Sequence, residues 1–150
     1  MIPTSRLFLL SLLTLAGCIS SQRTAYHVDI ANVSISNATL GASEAVFTLK
    51  VANTELYPTV VEKDTHRIFV NGTLIGDATG TETYALMQLG VATRVLTVQL
   101  SGGPAIDALR AAIQKGGGEY QIETRLSTNS GGERSKVNIK SSGTFTISGG

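Results

Sequence analysis

His66-Arg67-Ile68-Phe69-Val70-Asn71-Gly72-Thr73-Leu74-Ile75 is two short apolar runs joined by an Asn-Gly pair. His66, Ile68 and Val70 alternate toward one face, and Thr73 to Ile75 restarts a strand after the pair. Asparagine and glycine tolerate the positive φ angles of a type I′ turn, so the stretch predicts a β-hairpin.

The same period of two recurs on both sides of the hairpin. Upstream, Tyr26, Val28 and Ile30 alternate and then change phase to Val33 and Ile35, which predicts a bent first strand with a bulge near Asn32. Ala45, Phe47, Leu49 and Val51 alternate next, with Thr48 and Lys50 facing away, before Asn53 and Pro58 bracket an irregular stretch. Downstream, strands are expected over Thr83 to Leu89 and over Arg94 to Leu100, the second buried on both faces. Tyr120, Ile122, Thr124 and Leu126 form the clearest half-buried strand. After turn residues Asn129 to Gly132, Lys136 to Lys140 and Thr144 to Ile147 supply two final strands.

One segment departs from this period. Pro104 to Lys115 places Ile106, Leu109 and Ile113 on one helical face among four alanines, with proline opening it and Gly116 closing it. A helix of about three turns with one narrow apolar stripe is expected to cap an edge or end of a sheet. The fold class expected is therefore all-β with one short helix, an antiparallel β-sandwich of seven to nine strands.

With 150 residues there is room for one domain, and charged residues make up only 15% of them. The 12 basic and 11 acidic side chains nearly cancel. No excess of positive charge points to nucleic acid as a partner.

The N-terminus has separate chemistry. Arg6 charges a short leading region, and Leu7 to Ala16 is a mostly apolar run too short to span a membrane comfortably, which is the anatomy of a secretory signal. Leu15, Ala16, Gly17 and Cys18 then match the lipobox of bacterial lipoprotein precursors, in which the cysteine receives a diacylglycerol and cleavage precedes it. Cys18 is the sole cysteine, so no intramolecular disulfide competes for its thiol. These features divide the chain into a signal peptide (1–17), a lipidated N-terminus with a short tether (18–25) and a β-domain (26–148). Two or more acyl chains, palmitate among them, would hold such a protein firmly on a membrane. Ile19 stands where an aspartate would favour retention at the inner membrane in enteric bacteria, so the expected location is the outer membrane, facing the periplasm. The partner expected is the membrane itself, through the lipid.

The residues Asn53, Pro58 and Ile68-Phe69-Val70-Asn71-Gly72, followed by Ile75 and Gly76, resemble the signature of the late-embryogenesis-abundant (LEA) type 2 family. Its module is also called the water-stress and hypersensitive-response (WHy) domain. The resemblance runs from about Tyr26 to Ile147, with Ile106 to Gly118 similar to the family's late helix and glycine. It departs at one turn, where Thr54 follows Asn53 and Tyr57 precedes Pro58 in place of the family's Asn-Pro and Phe-Pro. The resemblance implies a fibronectin-III-like or immunoglobulin-like sandwich, an association with desiccation and other stress, and no catalytic activity. Its bacterial members are often small exported lipoproteins.

Candidate chemistry is thin elsewhere. His27 and His66 have no cysteine, histidine or paired carboxylate at metal-ligand spacing, and His66 reads as a rim residue on the face of Ile68 and Val70. Glu62, Lys63 and Asp64 read as a charged cluster ahead of a strand, and no spacing forces two carboxylates together. The glycine pairs lack the Gly-Lys-Ser or Gly-Lys-Thr ending of a phosphate loop. Three Asn-x-Ser/Thr sequons, at Asn32, Asn37 and Asn71, are expected to be coincidental in a bacterial chain. No cofactor is expected. The function expected is a non-enzymatic envelope lipoprotein acting as a stress-related structural or interaction module. The alternative is a module that binds a lipid or small apolar ligand in the sandwich or beside the Ile106 helix.

Overall fold

The computed structural model describes residues 26–34 and 44–147. The lipobox residues Leu15, Ala16, Gly17 and Cys18, the tether, and Asn37 lie outside them. Eight strands and one helix follow in the order β1 (Tyr26–Ser34), β2 (Glu44–Asn53), β3 (Thr59–Val70), β4 (Thr73–Gly80), β5 (Tyr84–Leu86), β6 (Val91–Gln99), α1 (Gly103–Gln114), β7 (Gly117–Ser130) and β8 (Glu133–Thr146). All pairings are antiparallel. One sheet has the order β1-β2-β6, the other β4-β3-β7-β8, with β5 continuing the β4 side of β3. The two sheets pack face to face as a sandwich and approach each other at both flanks, β1 beside β8 and β4 beside β6.

The alternating positions supply the core. Phe47, Leu49 and Val51 from one sheet and Ile68, Val70, Ile75, Ile122 and Leu126 from the other are fully buried. Fully burying one such side chain stabilises by roughly 1.5–3 kcal/mol, so this interdigitated layer outweighs any single polar contact in the domain. The hairpin forms as read: Val70 pairs with Thr73 across Asn71 (φ 48°) and Gly72 (φ 78°). The Asn71 side chain ties the turn to β7, its Oδ1 accepting the Glu119 N–H at 3.0 Å. The first strand carries its bulge between Ile30 and Asn32.

Four expectations need correction. The strand expected over Thr83 to Leu89 is only the three residues of β5, because a turn closes at Met87–Gly90 with the Gly90 N–H bonded to the Met87 carbonyl at 3.0 Å. Strand β6 is buried on one face, not two: Leu96 and Val98 point inward, while Val95 is 65% exposed on an edge that no further strand covers. The two runs at the C-terminus form one continuous strand, β8, which pairs with β7 along its whole length. In α1 the buried stripe is Ala105, Leu109 and Ala112, with Ile113 largely outside. Small side chains let the helix lie close over β4 and β7, so the alanines set the contact and the isoleucines flank it.

Candidate functional site

Strand β3 carries a bulge against β7 between Val61 and Lys63, which shifts its side-chain phase by one residue. Val61 points inward before it and Asp64, His66, Ile68 and Val70 after it. Asp64 therefore lies within a strand and fully inside the sandwich, and His66 is 2% exposed. Neither the charged cluster ahead of a strand nor the rim histidine stands, because both residues share the inward phase of Ile68 and Val70 and the strand extends back past them to Thr59.

Charge buried in this way needs partners, and they come from three other strands. The Tyr84 hydroxyl of β5 donates to Asp64 Oδ2 at 3.1 Å. Arg94 crosses from the opposite sheet, with Nε 3.4 Å from Asp64 Oδ2 and its guanidinium carbon 4.5 Å from the centre of the Tyr84 ring. His66 Nε2 lies 3.4 Å from the same oxygen without hydrogen-bond alignment, while its Nδ1 shares a 2.8 Å hydrogen bond with Thr124 Oγ1 of β7. Gly80 makes room for the group, since a Cβ there would fall on Asp64 Oδ1 and press on Arg94 Nη2. Burial pushes the Asp64 carboxyl up, but the His66 ring, the Arg94 charge and the Tyr84 hydroxyl outweigh it and hold the group below the usual carboxylate range. Tyr84 is driven well above the ordinary tyrosine range by burial first and by the Asp64 charge second.

Asp64, His66 and Thr124 have the composition of an acid-histidine-hydroxyl relay. Their placement denies it that chemistry. Thr124 is 3% exposed and faces the packed interior, where no substrate carbonyl can reach its oxygen. The cluster cross-links the sheets through charge. A signal for it was present in the sequence: carrying the period of two back from Ile68 through His66 lands on Asp64, and nothing local announces Arg94 or Tyr84 as its partners.

The residues singled out by the family pattern hold the frame together. Asn53 is 2% exposed at the end of β2. Its Nδ2 faces the carbonyls of Tyr57 at 2.8 Å, Met87 at 3.2 Å and Leu86 at 3.4 Å, and its Oδ1 accepts the Glu55 N–H at 2.9 Å. Its own N–H reaches the Gly90 carbonyl at 2.9 Å. One side chain thus binds the β2–β3 loop, which contains Pro58, to the β5–β6 loop. Asn71 and Gly72 make the hairpin at the opposite end. Gly76 lies where β4 runs against β6, and a Cβ there would meet the Gln99 carbonyl and the Val98 side chain.

Two surface features complete the candidates. A groove of about 510 Å³ crosses the outer face of the larger sheet. Asp77, Arg67, Glu123 and Lys140 stand in register across its four strands with alternating charge. Lys140 Nζ reaches Glu123 Oε1 at 2.8 Å and Arg67 Nε reaches Asp77 Oδ1 at 3.7 Å. The row satisfies itself, which is how a wetted sheet face is stabilised. The loops joined by Asn53 instead expose large apolar side chains: Leu56, Tyr57, Met87 and Leu89 are each more than 60% accessible. Among the described residues no three metal-ligating side chains gather, and no helix is long and apolar enough to cross a membrane.

A solved plant protein shares the sandwich. The structure of AT1g01470 from Arabidopsis thaliana superposes with a TM-score of 0.55 at 13% identity, covering 82% of this chain and 83% of that one. The structural-genomics target SoR45 superposes with a TM-score of 0.50 at 12% identity, over 81% and 86% of the two chains. At these identities the likeness is one of fold. A protein provisionally described as late embryogenesis abundant overlaps less closely, with a TM-score of 0.44 at 10% identity over 81% of this chain and 70% of that chain. No family model matches the sequence, and no curated protein gives a significant match.

Proposed function

We propose that the chain is a non-enzymatic envelope lipoprotein whose LEA-like β-sandwich serves as a stress-related structural or interaction module, held by Cys18 at the outer membrane and facing the periplasm. The observation that carries the non-enzymatic reading is the sealing of the Asp64–His66–Thr124 cluster inside the core, which leaves the acid-histidine-hydroxyl grouping without access to a substrate. The address rests on the sequence Leu15-Ala16-Gly17-Cys18 after an apolar leader. The stress role rests on the family pattern at Asn53, Pro58, Asn71, Gly72 and Gly76, whose side chains or backbone hold the loops, the hairpin and the β4–β6 contact.

The alternative of an apolar ligand gains less support. Phe47, Leu49, Ile68, Ile122 and Leu126 fill the space between the sheets, and the groove on the outer face, although Ala78 and Ile139 are among its lining, is crossed by the charged row of Asp77, Arg67, Glu123 and Lys140. The test has two arms. Radiolabelled palmitate should enter the wild-type protein and not Cys18→Ser, and the variant should leave the membrane fraction. A deletion strain should lose viability on drying and osmotic upshift, and Cys18→Ser should fail to restore it. Label in the serine variant would sink the anchor, and unchanged drying tolerance in the deletion strain would sink the stress role.

A further inference from the structure

Four of the large exposed apolar side chains are gathered at one end of the sandwich, the end at which the chain enters, while Val95 stands on the β6 edge and Ile113 on α1. Tyr26, the first described residue, pairs with Asn53, the residue that binds the β2–β3 and β5–β6 loops together. Leu56 and Tyr57 are 68% and 73% exposed on the first loop, Met87 and Leu89 63% and 65% on the second. The Leu89 N–H donates to the Glu55 carbonyl at 3.1 Å, so the two loops form one surface. Within residues 54–58 and 87–90 Glu55 alone carries a charge at neutral pH, and the β7–β8 turn at the same end adds Glu133 and Arg134. The opposite end, with the Asn71-Gly72 turn, Ser101 to Gly103 and Lys115 to Gly116, is built of polar residues and glycine. Single exposed leucines are ordinary, but four large apolar groups on two stitched loops are a patch of the kind that marks an interaction surface.

We propose that this tip is the membrane-facing end of the domain, with Leu56, Tyr57, Met87 and Leu89 seated in the headgroup region of the bilayer that holds the Cys18 lipid. The inference rests on the lipoprotein reading and adds an orientation to it. Length makes the argument. From Cys18 to Tyr26 is eight residues, which reach at most about 27 Å. Strand β3 runs 12 residues from the tip to the hairpin, about 36–40 Å at the usual rise. A chain leashed at Tyr26 by the shorter distance cannot turn over to bring its hairpin end to the bilayer. The end it can bring there is the one with its apolar groups outward and a tyrosine among them, a residue that favours the interface between hydrocarbon and water. Leu89 is held at φ 50° in the third position of the Met87–Gly90 turn, where glycine or asparagine is the usual occupant.

The test uses the acylated full-length protein in vesicles of phosphatidylethanolamine with a minor share of phosphatidylglycerol. Leu56→Cys, Leu89→Cys and, at the far end, Gln114→Cys each receive an environment-sensitive fluorophore, the native Cys18 thiol being blocked by its lipid. All three sites are exposed, so thermal unfolding should be unchanged by the substitutions. Expected are blue-shifted emission at Leu56 and Leu89 and quenching by spin-labelled lipid several-fold greater than at Gln114. Quenching at the tip sites no greater than at Gln114, in protein that carries palmitate at Cys18, would overturn the orientation and leave the anchor standing. Absence of palmitate would overturn the anchor and the orientation with it. Tip probes already shielded in detergent, in protein that sediments as a dimer, would assign the patch to a second copy and overturn the bilayer as its occupant.

Discussion

Asp64 shows how one side chain can carry opposing effects whose sum sets the acid response of the whole domain. Its folded carboxyl titrates below the unfolded one, so the unfolded chain takes up the proton first as pH falls. The stability it contributes is complete above the unfolded value and is lost as pH drops through the folded one. Urea midpoints should therefore hold steady above about pH 5 and fall toward about pH 3. Asp64→Asn should flatten that slope. Asp64→Ala leaves Arg94 only 12% exposed beside a vacated position and should cost about 3 kcal/mol, read as a lower urea midpoint. A profile equally steep in the asparagine variant would shift responsibility to Glu62 and Glu123, whose carboxyls are also held low, by Asn129 and Lys140 respectively. Leu89 offers the reverse case. Leu89→Asn relieves an unfavourable backbone conformation and should raise stability by about 0.5–1 kcal/mol. It should also weaken lipid quenching at a probe on Leu56, a stability gain set against an interaction.

At the scale of elements, what the sequence made legible was local, and what it hid was pairing across the sandwich. The hairpin could be read because Asn71-Gly72 encodes its own turn, and β7 because Tyr120 to Leu126 alternate without interruption. Strand β3 was legible only above its bulge: the run of charge at Glu62, Lys63 and Asp64 resembled a loop although Asp64 keeps the phase of Ile68, and no residue nearby declares the phase change at Val61–Lys63. The rotation of α1 was hidden for a related reason, since hydrophobicity favours Ile106 and Ile113 while close approach to β4 favours Ala105 and Ala112. Two contacts between elements can be tested directly. Gly76→Ala drives a methyl group into the Gln99 carbonyl and Val98, and the separation of β4 from β6 needed to admit it should cost about 1–3 kcal/mol in chemical denaturation. Asn53→Ala leaves three carbonyls without their shared donor. It should cost about 2 kcal/mol and open the 54–58 and 87–90 loops to protease before the rest of the domain. Cleavage elsewhere first would show that the loops are fixed by something other than this side chain.

At the scale of the whole molecule, the proposed lipoprotein is a nearly neutral body on a lipid. Removal of residues 1–17 takes away Arg6 and leaves the basic and acidic residues equal, so no net field draws the domain to anionic phospholipid. The outer face of the larger sheet neutralises itself along Asp77, Arg67, Glu123 and Lys140. Attachment should then depend on acyl chains and on the apolar tip, neither of which is screened by salt. Washing membranes at about 1 M salt, where the screening length falls to about 3 Å, should release almost none of the wild-type protein. The full chain carrying Cys18→Ser should be found in the soluble fraction at low and high salt alike. Release of wild-type protein by salt would mean that charge holds it there, and the surface responsible would have to be sought on the exposed basic residues near the tip, Arg134 and Lys136, in place of Leu56, Tyr57, Met87 and Leu89. Retention of the serine variant at both salt concentrations would mean that the tip suffices without the lipid. In the proposed lipoprotein, acyl chains on a leash of eight residues and a four-residue apolar patch act on the same bilayer, so each raises the local concentration of the other's target. The serine variant separates them, because it removes the lipid and leaves the patch.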